Sequence, residues 1–157
     1  AASIAIAVYG SHDYLAQNAE LDDLTTHDWI EPSGALVQMP PYEWMRRTLG
    51  DARVVFRVNT YMGVLDACRA GMGLALLPCF LADDDPRLER VAAPNRTLDI
   101  GLWLLTHEEL RHTARVRAFL DFMGQTIERV RPVLEGEHAA DSPDAPFIMG
   151  DEVELLI

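Results

Sequence analysis

The chain has 157 residues, 49% apolar and 24% charged, which suits one domain or one and a half small lobes, and no apolar run approaches the roughly 18 residues of a membrane span. Its formal charge is −12 and uneven: residues 135–157 hold seven acids (Glu135, Glu137, Asp141, Asp144, Asp151, Glu152, Glu154) and no base, leaving 18 acids against 13 basic residues, a net of −5, elsewhere. That balance excludes the basic stripe on which nucleic-acid binding depends.

Every basic side chain is Arg, read as a coding bias and not as a phosphate-binding device. Ala1 to Val8 is apolar but short and has no basic residues before it, so it reads as a strand and not as a signal peptide. Ser3 to Val8 is expected to be a buried strand ended by Gly10. Ser11 or Asp13 then caps a short helix around Tyr14 and Leu15. Asn18 to His27 predicts a second helical turn, acidic at its start. Asp28 to Ile30 predicts a short strand, Glu31 to Gly34 a turn, and Leu36 to Met39 another strand. Pro40-Pro41 opens a helix that runs from Pro41 to Leu49 and stops at Gly50.

Arg53 to Val58 is rich in β-branched residues and predicts a strand. Asn59 or Thr60 caps a helix over Tyr61 to Ala70, and Gly71 and Gly73 turn the chain into an apolar strand, Leu74 to Leu77, closed by Pro78. This β-α-β unit is expected to form a parallel pair buried on both faces. Asp83-Asp84-Asp85-Pro86 reads as a solvated turn, with cation binding as the alternative. Leu88 to Ala92 and Asp99 to Leu105 are further expected strands. A long helix over about 113–134 repeats Val116, Leu120, Met123, Ile127 and Val130 along one face, which is expected to pack on the sheet. From Glu135 onward, prolines, small residues and acids predict a flexible tail, and Val153 to Ile157 could add a strand to an edge.

Catalytic and metal constellations do not emerge. His107 and His112 lie five residues apart, about 140° around a helix, where a zinc helix needs i, i+4. Cys68 and Cys79 show no C-x-x-C spacing and no His partner, and they read as reduced, buried thiols. Gly71-x-Gly73 follows a helix and lacks a third glycine, so it is no dinucleotide fingerprint. Asn59-Thr60 is more suggestive. Polar residues at the end of a strand that opens a helix sit where open α/β sheets bind ligands, and the helix start favours anions. Thr60 is equally a plain helix cap, and Ser11 stands in the same double position after the first strand.

The stretch Asn59 to Pro78 (NTYMGVLDACRAGMGLALLP) resembles a signature of the effector-binding domain of LysR-type bacterial transcriptional regulators. Ala70-Gly71-Met72-Gly73 and Leu77-Pro78 stand where that pattern puts its A-G-x-G turn and the strand ending in Pro. Asp13-Tyr14-Leu15-Ala16 resembles the family's Y-L-A helix, and Leu24 to Trp29 (LTTHDW) its L-x-x-H-x-x segment. Leu102 to Phe122 resembles its return strand and R-V-R-A-F helix. The likeness runs in order over about Ser3 to Leu134.

The resemblance implies an α/β fold like type 2 periplasmic binding proteins, with two lobes joined by crossover strands and a small effector between them. Residues 3–92 would then be most of the second lobe, 93–134 the return crossover strand and helix of the first, and 135–157 an acidic tail. The start of the first lobe, the winged helix-turn-helix and the linker helix have no counterpart in this sequence. DNA contact is therefore expected only through an absent module, and apolar surface on the return segment is expected to be covered by another chain or segment. Ser11, Asn59, Thr60, Tyr61 and Pro78 are the expected effector contacts, with a small-molecule effector for which an anion is one candidate, no cofactor and no metal. The protein is expected to be cytoplasmic, a homodimer or homotetramer, and not an enzyme. A periplasmic solute-binding protein of a transporter shares the fold. It would need a signal peptide and an oxidising compartment. A dehydratase on the same scaffold would need a cleft acid or base, and none is apparent.

Overall fold

The computed structural model describes residues 2–137. The first apolar stretch forms two strands, not one: β1 (Ala2–Ile4) and β2 (Ile6–Ser11). Ala5 separates them because its backbone is taken elsewhere. Its N–H donates to Leu134 O (2.8 Å), and its C=O accepts from Cys79 N (2.9 Å). β2 continues through Gly10, contrary to the expected stop, since a Cβ there would lie 2.9 Å from Leu74 Cδ2 and the missing side chain admits that leucine.

After α1 (His12–Gln17), the expected helical turn over 18–27 shrinks to one 3-10 turn at Leu24–Thr26, capped by the Asp23 carboxylate. β3 (Asp28–Pro32) follows. The strand expected over Leu36 to Met39 is instead a 3-10 turn, Gly34–Gln38, that feeds α2 (Pro40–Leu49). Then come β4 (Arg53–Val58), α3 (Tyr61–Arg69), β5 (Ala75–Pro78), α4 (Cys79–Ala82) and β6 (Leu88–Arg90). β7 (Ile100–Leu102) is shorter than the expected 99–105 strand, and Trp103 and Leu105 beyond it are 69% and 88% exposed. α5 (Ala114–Leu134) completes the described chain. The tail expected beyond Glu135 and the edge strand expected at Val153 to Ile157 fall, past residue 137, outside the described residues.

β4 and β5 are not neighbours, as the β-α-β reading expected. β3 lies between them, pairing in parallel with β4 along its length and with β5 through the Trp29–Leu74 bridge. β5 pairs antiparallel with β2, and β2 antiparallel with β6. The strand sequence across the main sheet is therefore β4-β3-β5-β2-β6. β4 is an edge strand with no buried residue, whereas β2 and β5 are buried throughout. An edge strand has one partner and one bare flank, so its valines gave no measure of its depth.

The period-2 alternation of strands builds two cores from one sheet. Ala5, Ala7 and Tyr9 of the β2 region, Ile30, and Ala75 and Leu77 of β5 face α3 and α4 and pack on Val64, Leu65 and Cys68. Ile6, Val8, Trp29, Leu74 and Leu76 face the other way, onto Tyr14 of α1 and Tyr42, Met45 and Leu49 of α2. Helices thus cover both faces, which is why β5 reads as unbroken apolar sequence.

β1 and β7 form a separate antiparallel pair. α5 packs on β1 and α4; the stripe residues Val116, Leu120, Met123, Ile127 and Val130 are each half-buried, and no α5 residue is fully buried. Beside the stripe, Phe119 and Phe122 are 57% and 62% exposed.

Candidate functional site

The crossover from β1 to β2 fixes which edge of the main sheet carries the site. β2 begins there, with Ile6 opposite Pro78, the last residue of β5. β3, β4 and β5 run in parallel, so Pro32, Val58 and Pro78 all end at the crossover edge. Loops after parallel strands at such an edge are where open α/β sheets hold ligands.

Two of these loops meet. Ser33 N donates to Val58 O (2.8 Å), bringing the loop after β3 onto the loop after β4. Gly34, at φ +65°, turns beside Asn59, and a Cβ on it would lie 3.7 Å from the Asn59 Cβ. Asn59 is exposed, and Ser33 is half-buried with no capping bond. Thr60 is the N-cap of α3, its hydroxyl accepting from Gly63 N (3.0 Å). A helix start leaves further amides without intrahelical partners, so this corner presents donors and a positive dipole end. Gly63 leaves the room this corner needs: a Cβ there would lie 2.4 Å from Val58 Cγ2 and 3.0 Å from the Thr60 hydroxyl oxygen.

Tyr61 and Pro78 belong to the walls of this edge. The Tyr61 hydroxyl donates to Met39 Sδ (3.5 Å), and its ring lies 6.2 Å from that of Tyr42. Burial pushes its phenol pKa up, so it stays neutral. Pro78 is buried and hands the chain to α4.

Ser11 stands apart from the other four. β2 runs opposite to β5, so its C-terminal end lies at the far edge, with Ser11 opposite Leu88. There its hydroxyl accepts from Tyr14 N (3.1 Å) and is 3% exposed, a buried helix cap. The hollow beside it, about 200 Å³, is lined by His12, Asp13, Arg69 and Arg87. The structure therefore gathers Asn59, Thr60, Tyr61 and Pro78 at the crossover edge and leaves Ser11 outside. Ser33 and Gly34 join the four. Sequence reasoning read them only as a turn, although the turn follows a strand in the same way as Asn59-Thr60.

A larger hollow, about 330 Å³, is bordered by Tyr9, Asp83, Glu89 and Arg90. Three of these groups already satisfy one another: Tyr9 O–H donates to Asp83 Oδ1 (2.6 Å), and Arg90 pairs with the same carboxylate, while Glu89 pairs with His12. Its wall is an ion-pair network whose hydrogen-bonding capacity is largely used within the protein. Among the described residues no cluster of three His, Cys, Asp or Glu side chains is placed to hold an ion. No helix among those residues is long and apolar enough to cross a membrane. Cys68 and Cys79 are both free thiols and buried, as expected.

A model of the LysR substrate binding domain matches residues 3–128. Among solved structures, the chain is similar to the effector domain of the transcriptional regulator AmpR of Pseudomonas aeruginosa. The TM-score is 0.58 and the identity 22%, over 83% of this chain and 63% of that one. It is also similar to an amino acid ABC transporter substrate-binding protein, AbpA, from Streptococcus pneumoniae, bound to L-arginine. There the TM-score is 0.53 and the identity 10%, over 86% of this chain and 59% of that one. At these identities the two likenesses carry the fold, which is that of type 2 periplasmic binding proteins. The chain spans about three-fifths of the length of each. No curated protein sequence matches it.

Proposed function

The chain belongs to the LysR substrate-binding domain family, and from that premise we propose that it is the effector-sensing part of a cytoplasmic transcriptional regulator. It binds a small molecule at the crossover edge of the main sheet and alters lobe geometry without converting the ligand. Residues 3–92 form most of the second lobe, and 93–134 return to the first. DNA contact falls to a separate winged helix-turn-helix, and the regulator works as a homodimer or homotetramer.

The observation that carries this reading is the convergence of Ser33-Gly34, Asn59-Thr60 and Pro78 on the edge that bears the crossover at Ala5. A ligand lodged there touches both the lobe and the hinge, so it can favour one lobe angle over another. Such differential binding is what any ligand-driven change requires. Ser33 and Asn59 supply hydrogen bonds, and Tyr61 and Pro78 supply wall. The start of α3 favours a carboxylate or similar anion. Ser11, a buried cap at the opposite edge, is given no direct contact.

The test is a thermal-shift screen of small organic acids against the complete regulator, followed by titration of variants. Binding of a hit should weaken at least tenfold in Asn59→Ala and stay unchanged in Ser11→Ala. An affinity unaltered by Asn59→Ala and Ser33→Ala alike would place the effector elsewhere.

A further inference from the structure

We propose that Arg90 is a latch that fastens the C-terminal end of α5 to the second lobe and so sets the resting angle between that lobe and the crossover. The latch stands on geometry alone. Only its regulatory consequence rests on the effector-sensing reading above.

Arg90, the last residue of β6, uses both sides of its guanidinium. One side is held inside the lobe: Nε donates to the Tyr9 hydroxyl (3.3 Å) and to Asp83 Oδ1 (3.2 Å), and Nη2 pairs with Asp83 Oδ2. The other side reaches past the end of α5, where Nη1 and Nη2 both donate to the carbonyl of Gly136 (3.2 and 3.1 Å). The Arg90 and Asp83 side chains are 13% and 9% exposed, so salt screens the pair little. Arginine is the only side chain whose planar fork can bridge a carboxylate, a hydroxyl and a carbonyl at once. A lysine ammonium is a point donor.

Two features aim the Gly136 carbonyl at this fork. Gly136 has φ +78°, a conformation that other residues rarely adopt. Its Cα also sits in a crowded notch, where a Cβ would lie 3.1 Å from the Ala5 Cβ and the Cys79 Sγ and 3.3 Å from Pro94 Cγ. Ala5, the residue between β1 and β2, is bonded to Leu134 O on one side and to Cys79 N on the other. The hinge residue, the end of α5 and the start of α4 therefore form one junction, and Arg90 closes it. A rotation of the lobe about Ala5 has to stretch the Arg90–Gly136 contact or carry α5 along. Effector energy is then set against the latch.

The experiment compares Arg90→Lys and Gly136→Ala in the complete regulator with the unaltered protein. Hydrogen exchange is read at Ala5 and Gly136 and, as a control, at Val8 and Leu76 in β2 and β5. Reporter transcription is read with no compound added. Both variants should speed exchange at Ala5 and Gly136 at least tenfold, leave the core amides unchanged, and shift reporter output at least threefold. Unchanged exchange at Ala5 and Gly136 overturns the latch, as does core exchange that rises equally in both variants. Accelerated local exchange with unmoved output overturns the regulatory part. If no compound ever binds, the exchange measurement still reports on the latch, which separates its failure from that of the effector reading.

Discussion

Gly73→Ala offers a sharp test of how the two halves of the main sheet are joined. The added Cβ would lie 2.5 Å from the Asp28 carbonyl oxygen and 2.8 Å from its carbon, both backbone atoms that no side-chain rotation can move. Restoring an ordinary contact of 3.4 Å needs a retreat of about 0.9 Å by one strand. The join at that point is narrow: Leu74 N donates to Asp28 O (2.8 Å) and Ile30 N to Leu74 O (2.9 Å), around a single bridge between Trp29 and Leu74. Overpacking costs about 1–3 kcal/mol, and each backbone bond lost adds roughly 0.5–1.5 kcal/mol. Reduced freedom of the unfolded chain returns about 0.4–1 kcal/mol, so a net loss of roughly 2–4 kcal/mol is expected. Urea unfolding followed by tryptophan fluorescence measures it, since Trp29 is fully buried at the bridge. Gly124→Ala is the control. Nothing lies within 4 Å of its added Cβ in the middle of α5, and the change should stabilise by up to about 1 kcal/mol. An unfolding free energy for Gly73→Ala within about 0.5 kcal/mol of that of the unaltered protein, at equal slope, would mean that the two halves of the sheet are not closely joined at Asp28.

Other expectations are as direct. Tyr14 O–H lies 3.2 Å from His27 Nδ1, and its oxygen accepts from Asp28 N (3.0 Å), so Tyr14→Phe should cost about 1–3 kcal/mol in the same assay by stranding one buried and one part-buried group. Burial alone would raise the Asp85 pKa, but the backbone and side chain of Arg87 and the Arg69 guanidinium bring it below the ordinary carboxylate value. A folded pKa depressed in this way contributes stability that is present above the unfolded value, about pH 4, and lost as pH falls through the folded one. Asp85→Asn should therefore flatten the stability profile below about pH 4, as read by denaturation at stepped pH. Burial first, and then the Asp85 charge, pushes the Cys68 thiol up to about 12. A thiol reagent at pH 8 should leave Cys68 unlabelled in the native protein and label it promptly in denaturant, which mass spectrometry of the peptides resolves.

Local signals were legible wherever one residue type decides a local geometry. The caps at Ser11 and Thr60, the proline start of α2 and the five-residue stripe of α5 follow from hydrogen-bonding capacity and helical period. The ordered motifs from Ser3 to Leu134 were enough to indicate the family. The loop after β3 was harder to place. Leu36 to Met39 has a strand-like composition, but the chain must turn there from the sheet edge into α2, and a 3-10 turn does so. The reach of the expected strand at Asp99 to Leu105 was overdrawn because β7 has only the three residues of β1 to pair with.

The bounds of α2, α3 and α5, the buried thiols, the unbroken apolar character of β2 and β5, and the polar strand end at Asn59-Thr60 were all readable from the chain itself. These depend on chemistry within a few residues of each position. Only the tertiary structure decided that β3 stands between β4 and β5, that β2 runs against β5, and that Ser11 consequently lies at the opposite edge from Asn59 and Pro78. Strand direction and neighbour order come from pairing between distant segments, and the same alternating pattern satisfies a parallel or an antiparallel partner equally well.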